Sequence, residues 1–515
     1  MKRVFITSLI ALAVAFSASA QDKVVKKVLE LGKEDNRTME HADFLANRIG
    51  GRVVGSHALQ DAEAWVAEQF KSWGLEVMIQ EVGEIPVGFT RGHWTGRMIG
   101  EGGEMHLHFA TPSYTAGTKG PQKGRVFMEP RTRAEFERMK GVLKGSWVLI
   151  GGTSNGFPTD WSAQGDSIRR EIIAKNEEIA KRNNEVMMWN YQHRDQQKEL
   201  EKYDETPCLF YREMVDAGVL GFIQSSGLPI QAHYDRKGCY NITMENLPTV
   251  CEIKLDREQY DIIAQKVKDK RDIQLEFDIR NYFFRGPVKY HNVIGIIRGA
   301  KYPKEYVLLG GHLDAYDSAT GAVDDGHGVA VTMEAARLLA AAGAKPARTM
   351  MFCVWTGEEY GLLGSKYFVE NKTVPYEKIA NYFNRDGGPL ASVGIDVPSA
   401  MYQDFVKICK PLENYDESMP FSVTERKGEP RPRPKSAGGS DHAYFAMNGV
   451  PTISFAERDV KGYNFNYRDI WHTDQDLYYR LYPDYIEYSA VVEAVTAYGV
   501  ANLDHLLSRE GLYKE

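Results

Sequence analysis

Cysteine is scarce in this sequence: five residues in 515, at Cys208, Cys239, Cys251, Cys353 and Cys409. None stands in a Cys-x-x-Cys pair or a zinc-finger spacing, and the number is odd, which excludes a disulfide scaffold. In an oxidising compartment two of them could bridge, and Cys239 with Cys251 is the pair that proximity in the sequence favours. Cys353 lies in an apolar run and reads as a small core residue. After the N-terminal leader no apolar stretch is long enough to cross a bilayer. An excess of basic residues is also missing. Lys and Arg number 63 against 70 Asp and Glu, a net charge of −7, which argues against nucleic acid as the main partner. There is no Gly-x-Ser-x-Gly elbow to suggest a serine hydrolase. No glycine-rich phosphate loop stands between a strand and a helix.

What is present begins at the N-terminus. Lys2 and Arg3 precede an apolar run from Val4 to Phe16, followed by the small residues Ala18, Ser19 and Ala20. That pattern reads as a secretory signal peptide over residues 1–20, with the mature chain starting near Gln21. No cysteine follows the cleavage site, so no lipid anchor is expected. The protein is expected to be exported to the periplasm or the extracellular space. Its length exceeds what one core usually serves, and two domains are the default.

In the stretch from Asp61 to Trp73, Ala62, Val66, Phe70 and Trp73 follow helical spacing, and Gly74 is the stop. Leu75 to Ile79 reads as a strand. From about 85 to 285 short β-like runs dominate, such as Ser146–Ile150 and Gly218–Ile223. A polar, charge-rich stretch near 166–204, with Ile168, Ile172 and Ile179 near helical spacing, reads as a mostly exposed helical insertion, with a solvated spacer as the alternative that its charge favours. From His291 onward strands and helices alternate, which points to an α/β sheet. Tyr306–Gly310 ends in Gly311-His312-Leu313-Asp314, Thr349–Trp355 in Gly357-Glu358-Glu359, and Ile379–Phe383 in Asn384-Arg385-Asp386. Ligands of open α/β sheets collect beyond the carboxyl ends of strands. Three successive strands ending in carboxylates or histidine therefore mark a site.

Each of His312, Asp314, Asp324, Glu358, Glu359, Asp386 and His472 has an ordinary reading by itself. A loop histidine is usually structural, an exposed aspartate solvated, and paired glutamates after a strand can face a helix dipole. Together they supply two imidazoles and at least four carboxylates, a set that suits two zinc ions sharing a carboxylate.

The strings that carry these residues are Gly-Gly-His-Leu-Asp at 310–314, Gly-Ala-Val-Asp-Asp-Gly at 321–326, Gly-Glu-Glu-Tyr-Gly-Leu-Leu-Gly-Ser at 357–365, Ser-Asp-His-Ala-Tyr-Phe at 440–445 and His-Thr-Asp-Gln-Asp at 472–476. In that order they resemble the dinuclear zinc exopeptidases that include vacuolar aminopeptidase, carboxypeptidase Q and glutamate carboxypeptidase. Gly51–Ser56 and His291–Gly295 are similar to the same family, and the resemblance spans roughly residues 30–85 and 285–505. It implies an α/β fold with a mixed central sheet sandwiched by helices, the phosphorylase/hydrolase-like zinc peptidase fold. The peptidase domain would comprise 21–87 and 285–515. A mainly-β protease-associated domain at 88–284, with the helical insertion near 166–204, would cap the mouth of the site.

The resemblance also implies roles. Asp324 would bridge two Zn²⁺ ions, His312 and Asp386 would complete one site, and Glu359 and His472 the other. Asp314 would hold the His312 imidazole in its metal-binding tautomer, and Glu358 would be the general base. The Asp324–Asp325 peptide is a candidate for the cis form, with Asp325 standing where many relatives carry Asn. The implied activity is that of a secreted aminopeptidase or dipeptidase acting on short peptides or dipeptides, with no nucleic-acid or membrane partner and a homodimer as the candidate assembly.

His442 reads as structural or substrate-facing rather than as a ligand. The basic, proline-rich run from Arg426 to Arg433 reads as an exposed loop beside the site, with contact to a substrate carboxylate as the alternative. Three rival functions remain. One is a one-zinc glutaminyl cyclase, and another a binding protein of transferrin-receptor type. The third is a glutamate-carboxypeptidase-like enzyme with Arg385 or Arg431 in its pocket.

Overall fold

A computed structural model describes residues 21–160, 162–234 and 239–514. The expected signal peptide lies outside them. Two compact units result, one of residues up to 85 with 287–471 and 475–515, the other of residues 86–286 with 472–474. Helix α1 (His57–Ser72) buries Leu59, Ala62, Val66 and Phe70 on one face. Its first turn is capped by Ser56, whose hydroxyl accepts the Leu59 N–H, and Gly74 ends it at φ +82°. Strand β1 (Glu76–Gly100) follows, far longer than the five residues legible as a strand.

In the second unit, β2 (Gln122–Met128), β3 (Trp147–Thr153), β4 (Gly221–Ser226) and β5 (Cys251–Asp256) pair in parallel and in that order. All six residues of β4 and of β5 are buried, as expected of parallel strands covered on both faces. The 30-residue helix α2 (Ala163–Gln192) belongs to this unit, with Arg169, Asn176, Ile179 and Asn183 buried and most of its surface in solvent. Helix α3 (Arg257–Lys268) starts under an Asp256 cap. The unit therefore mixes helix and strand. Strand β6 (Ile273–Ile297) then leads into the C-terminal part of the chain.

There β7 (Tyr302–His312), helix α4 (His327–Ala341), β8 (Arg348–Trp355) and β9 (Ile379–Asn384) follow one another. The sheet order is β9-β7-β8-β6, parallel except for β6, which runs antiparallel to β8. This is the mixed central sheet expected of the fold. Every residue of α4 from His327 to Leu339 is buried, the mark of a helix enclosed on all sides. Beyond it come β10 (Ala391–Val397), β11 (Ser422–Glu425), the short β12 (Arg431–Pro432), helix α5 (His442–Met447), β13 (Phe455–Arg458), helix α6 (Pro483–Ala501) and β14 (Tyr513–Lys514). Phe368 and Phe445 pack with Trp355 and Tyr382 of the sheet in one buried cluster. Val331 of α4 and Ile486 of α6 share another with Ala322 and Val323.

All five cysteines are buried and none is in a disulfide, so Cys239 and Cys251 do not bridge. Among the described residues no helix is long and apolar enough to cross a membrane.

Candidate metal centre

Register explains why distant parts of the chain meet here. In the parallel ladder Trp355 pairs with His312, while Gly310 pairs with both Cys353 and Asn384. The loops after β7, β8 and β9 thus leave the sheet at one edge, carrying His312–Asp314, Glu358–Glu359 and Asp386.

Two groups of side chains converge there. His312, Asp324 and Glu359 are all buried, and one potential ligand atom from each lies within 4.8 Å of the others. His312, Asp325 and Asp386 form a second such group. The His312 Nε2 atom is 3.1 Å from Asp324 and 3.7 Å from Asp386. Burial disfavours charge on this imidazole, but the carboxylates of Asp386 and Asp324 outweigh it and hold its pKa well above the usual value. Burial drives Glu358, Glu359 and Asp325 well upward, because a carboxylate out of water resists ionisation and its like-charged neighbours add to the cost.

So many carboxylates around one imidazole are a donor set short of positive charge. A divalent cation supplies that charge and reverses the local pKa logic. Oxygen and imidazole donors suit zinc, so the residues fit the metal that their sequence pattern implies.

The surrounding loops are tied by backbone hydrogen bonds. The Asp314 carboxylate accepts the N–H groups of Glu358 at 3.0 Å and Glu359 at 3.1 Å. Orientation of the His312 ring falls instead to the Asp314 backbone carbonyl, 2.8 Å from Nδ1, with the carboxylate 3.8 Å away. This revises how Asp314 acts: its side chain positions the two glutamates. The Asp324–Asp325 peptide is cis. Asp325 accepts the N–H groups of His312 and Gly328, and a Cβ at Gly311 or Gly328 would strike its carboxylate. Glycine is required at both positions by this close approach. His327, kept neutral by burial with a pKa of about 3, donates from Nδ1 to the Val323 carbonyl at 2.6 Å.

Three residues absent from the sequence-derived set shape the centre. Asp476 accepts the N–H groups of Val323 at 2.6 Å and Asp324 at 3.2 Å, and so positions the Asp324 loop. Asp441 is fully buried, bonded to the Ser365 hydroxyl, and pushed by burial up to about 7. Arg52, also fully buried, donates to the carbonyls of Leu45, Gly50, Leu313, Thr320 and Gly321. Burial lowers its pKa to about 10, while Asp476, Asp314, Asp325 and Asp324 act to raise it. Asp441, Asp476 and Arg52 all lie inside segments that resemble the family, at 440–445, 472–476 and 51–56.

His442 is half-buried and feels both Asp386 and Arg431. Arg385 does not face a substrate pocket. It is buried against Glu493 at 3.0 Å, Glu457 at 3.2 Å and Ser392 at 2.7 Å. His472 belongs by its contacts to the second unit. There its ring makes an edge-on contact with His233, centroids 5.1 Å apart. The next residues anchor the loop: Thr473 bridges Gln231, and Asp474 exchanges hydrogen bonds with Ile230 and pairs with His108 at 2.6 Å.

The model of Peptidase family M28 matches residues 292–496. Carboxypeptidase Q from Rattus norvegicus is 25% identical over 505 residues, covering 95% of this chain and 91% of the relative. The Homo sapiens protein of the same name is 24% identical over 504 residues, covering 94% and 90%. A Peptidase M28 precursor from Shewanella amazonensis shares the fold at a TM-score of 0.56 and 19% identity, over 95% of this chain and 98% of that one. BSAP, a zinc aminopeptidase from Bacillus subtilis, does so at 0.50 and 16% identity, over 93% and 97%. The segment matched by the Peptidase family M28 model, residues 292–496, holds the three strand ends and every acidic and imidazole residue of the centre.

Proposed function

We propose that this chain is an exported, zinc-dependent exopeptidase, an aminopeptidase or dipeptidase that hydrolyses short peptides. One observation carries the reading: the buried convergence of His312, Asp324 and Glu359, with Asp386 beside the same imidazole nitrogen and Glu358 outside both ligand groups. The names of its relatives, carboxypeptidase Q and zinc aminopeptidase, both denote cleavage at a chain end. Export rests on the leader pattern of residues 1–20 alone.

His312, Asp324 and Asp386 would hold one zinc, and Asp324, Glu359 and His472 a second. Zinc bound there supplies a Lewis acid for the scissile carbonyl and lowers the pKa of water to about 7. Glu358 takes the proton of the attacking water and passes it to the leaving amine. Asp314 keeps Glu358 and Glu359 apart in function by fixing both backbone N–H groups. Asp476 and Arg52 hold the loops of Asp324 and His312 in place.

Elemental analysis of the purified protein, alongside hydrolysis of free, N-blocked and C-amidated dipeptides, tests the reading. Two zincs per chain with cleavage of free dipeptides and sparing of the N-blocked ones supports it. One zinc or none, with no hydrolysis, sends the assignment to a cyclase or a binding protein. Cleavage of N-blocked but not amidated peptides would move the held end to the C-terminus.

A further inference from the structure

Two segments run in step past the end of β9. Phe383 stacks on Phe455 of β13, with ring centroids 5.4 Å apart. Two residues further along each segment, where side chains return to the same face, Arg385 meets Glu457 at 3.2 Å. The register agrees, since Glu457 stands opposite Ser392 of β10 and the Ser392 hydroxyl accepts a hydrogen bond from Arg385 at 2.7 Å. Asp386, one of the expected zinc ligands, comes directly after Arg385. Strand pairing therefore sets Glu457 beside the loop that carries a ligand.

Through one nitrogen the Arg385 guanidinium faces two carboxylates, Glu493 at 3.0 Å and Glu457 at 3.2 Å. A single positive charge does not neutralise both. The Glu493 side chain is 2% exposed and that of Glu457 20%, so Glu457 is the one a solute can reach. Its contact with Arg385 is made by Oε1. The other oxygen, Oε2, lies 2.8 Å from where a Cβ on Gly387 would stand, and no donor among the described residues bonds to it. Gly387 is itself exposed, so this oxygen sits at an opening. Burial pushes the Glu457 pKa up, Arg385 pulls it down, and Asp386 adds to the rise. The carboxylate is short of positive charge.

Aromatic rings wall the next residue. A Cβ on Gly388 would stand 2.7 Å from the Phe465 ring and 3.5 Å from the Tyr467 ring. Ammonium groups are drawn to aromatic faces as well as to carboxylates. Position narrows the choice of ammonium. In a peptide the α-nitrogen and the carbonyl carbon of its own residue are about 2.5 Å apart. A chain-end amine must then be held right beside the metal that polarises that carbonyl. Gly387 meets this need, since its Cα atom is about 3.8 Å from that of Asp386. A lysine ammonium, at the end of a four-carbon stem, needs a site further out.

We propose that Glu457 determines specificity: its free carboxylate oxygen receives the α-ammonium group of the peptide whose first bond is cut. This rests on the exopeptidase reading and adds to it the residue that selects a free N-terminus.

The test compares kcat/KM for Ala-Ala and for lactoyl-alanine, in which a hydroxyl replaces the ammonium group. Ala-Ala is expected to be preferred about 10- to 100-fold, as for a hydrogen bond between charged groups. Glu457→Gln should erase most of that preference by raising KM for Ala-Ala, with zinc content by elemental analysis unchanged, and Glu457→Asp should restore part of it. Equal rates in the unaltered protein, or equal losses for both compounds in Glu457→Gln, would overturn the assignment. A loss confined to Lys-Ala would do so too, because it places a side-chain ammonium at Glu457. If the unaltered protein hydrolyses neither compound, the exopeptidase reading has failed by itself. Calorimetric titration of both into the full chain then decides the site. Tighter binding of Ala-Ala that Glu457→Gln abolishes supports it, and equal binding, or a preference that survives the substitution, overturns it.

Discussion

The Arg52 guanidinium donates through Nε to the carbonyl of Leu313 at 2.6 Å. Leu313 lies between His312 and Asp314, and the same guanidinium reaches Thr320 and Gly321 at the start of the Asp324 loop. One buried cation therefore joins two segments that carry ligands. Arg52→Met removes every donor and leaves buried carbonyls unpaired. A loss of about 3 kcal/mol or more is expected in denaturant midpoints, together with weaker zinc retention. Arg52→Lys, with a point charge in place of a planar fork, should recover only part. An unchanged midpoint in Arg52→Met would show that the network is dispensable.

Glu358→Gln separates proton transfer from metal binding. The variant is expected to keep its zinc, by elemental analysis, and to lose roughly 10²- to 10⁴-fold in kcat. Loss of metal in this variant would mean that Glu358 and Glu359 have been given each other's roles.

Asp476→Ala tests how far positioning of Asp324 matters. Its carboxylate accepts the backbone N–H groups of Val323 and Asp324. Zinc affinity, measured by competition with a chromogenic chelator, should fall about 10- to 100-fold, as for other outer-shell partners. Affinity within twofold of the unaltered protein would assign Asp476 to the fold alone.

The second unit carries its own pH signature. Glu129 is fully buried, and desolvation pushes its pKa from 4.5 up to about 7, against the opposing pull of Arg131. Between those values the folded chain binds more protons than the unfolded one. The contribution to stability is thus full below about 4.5, falls as pH rises to about 7, and is flat above. In denaturation of the full chain, Glu129→Gln should lack this slope. The variant's stability relative to the unaltered protein should rise by about 3 kcal/mol from pH 4.5 to 7.5. Parallel curves would place the titration elsewhere.

Much of the site was legible because its residues follow strands. His312, Glu358, Glu359 and Asp386 stand just past apolar runs, and parallel register brings such ends together whatever the intervening loops. The stop signal at Gly74 was legible too, and it takes a positive φ. The strand at Leu75–Ile79 was read as short because Pro86 and five glycines break its pattern, yet hydrogen bonding carries β1 on to Gly100. Arg52 and the Asp314 carboxylate were read incompletely for a different reason. They act on backbone N–H and carbonyl groups far along the chain, and no side-chain spacing records such pairings. Arg385 misled because a charge beside a ligand suggests substrate contact, whereas Glu493 and Glu457 enclose it.

The five unbridged thiols bear on handling. Burial raises the pKa of Cys208, Cys251, Cys353 and Cys409, so the reactive thiolate is rare at neutral pH and shielded from oxidants. Nothing in this fold waits on an oxidase or a disulfide isomerase. The polypeptide should refold equally well with or without dithiothreitol, and should withstand mild peroxide without forming cross-linked aggregates.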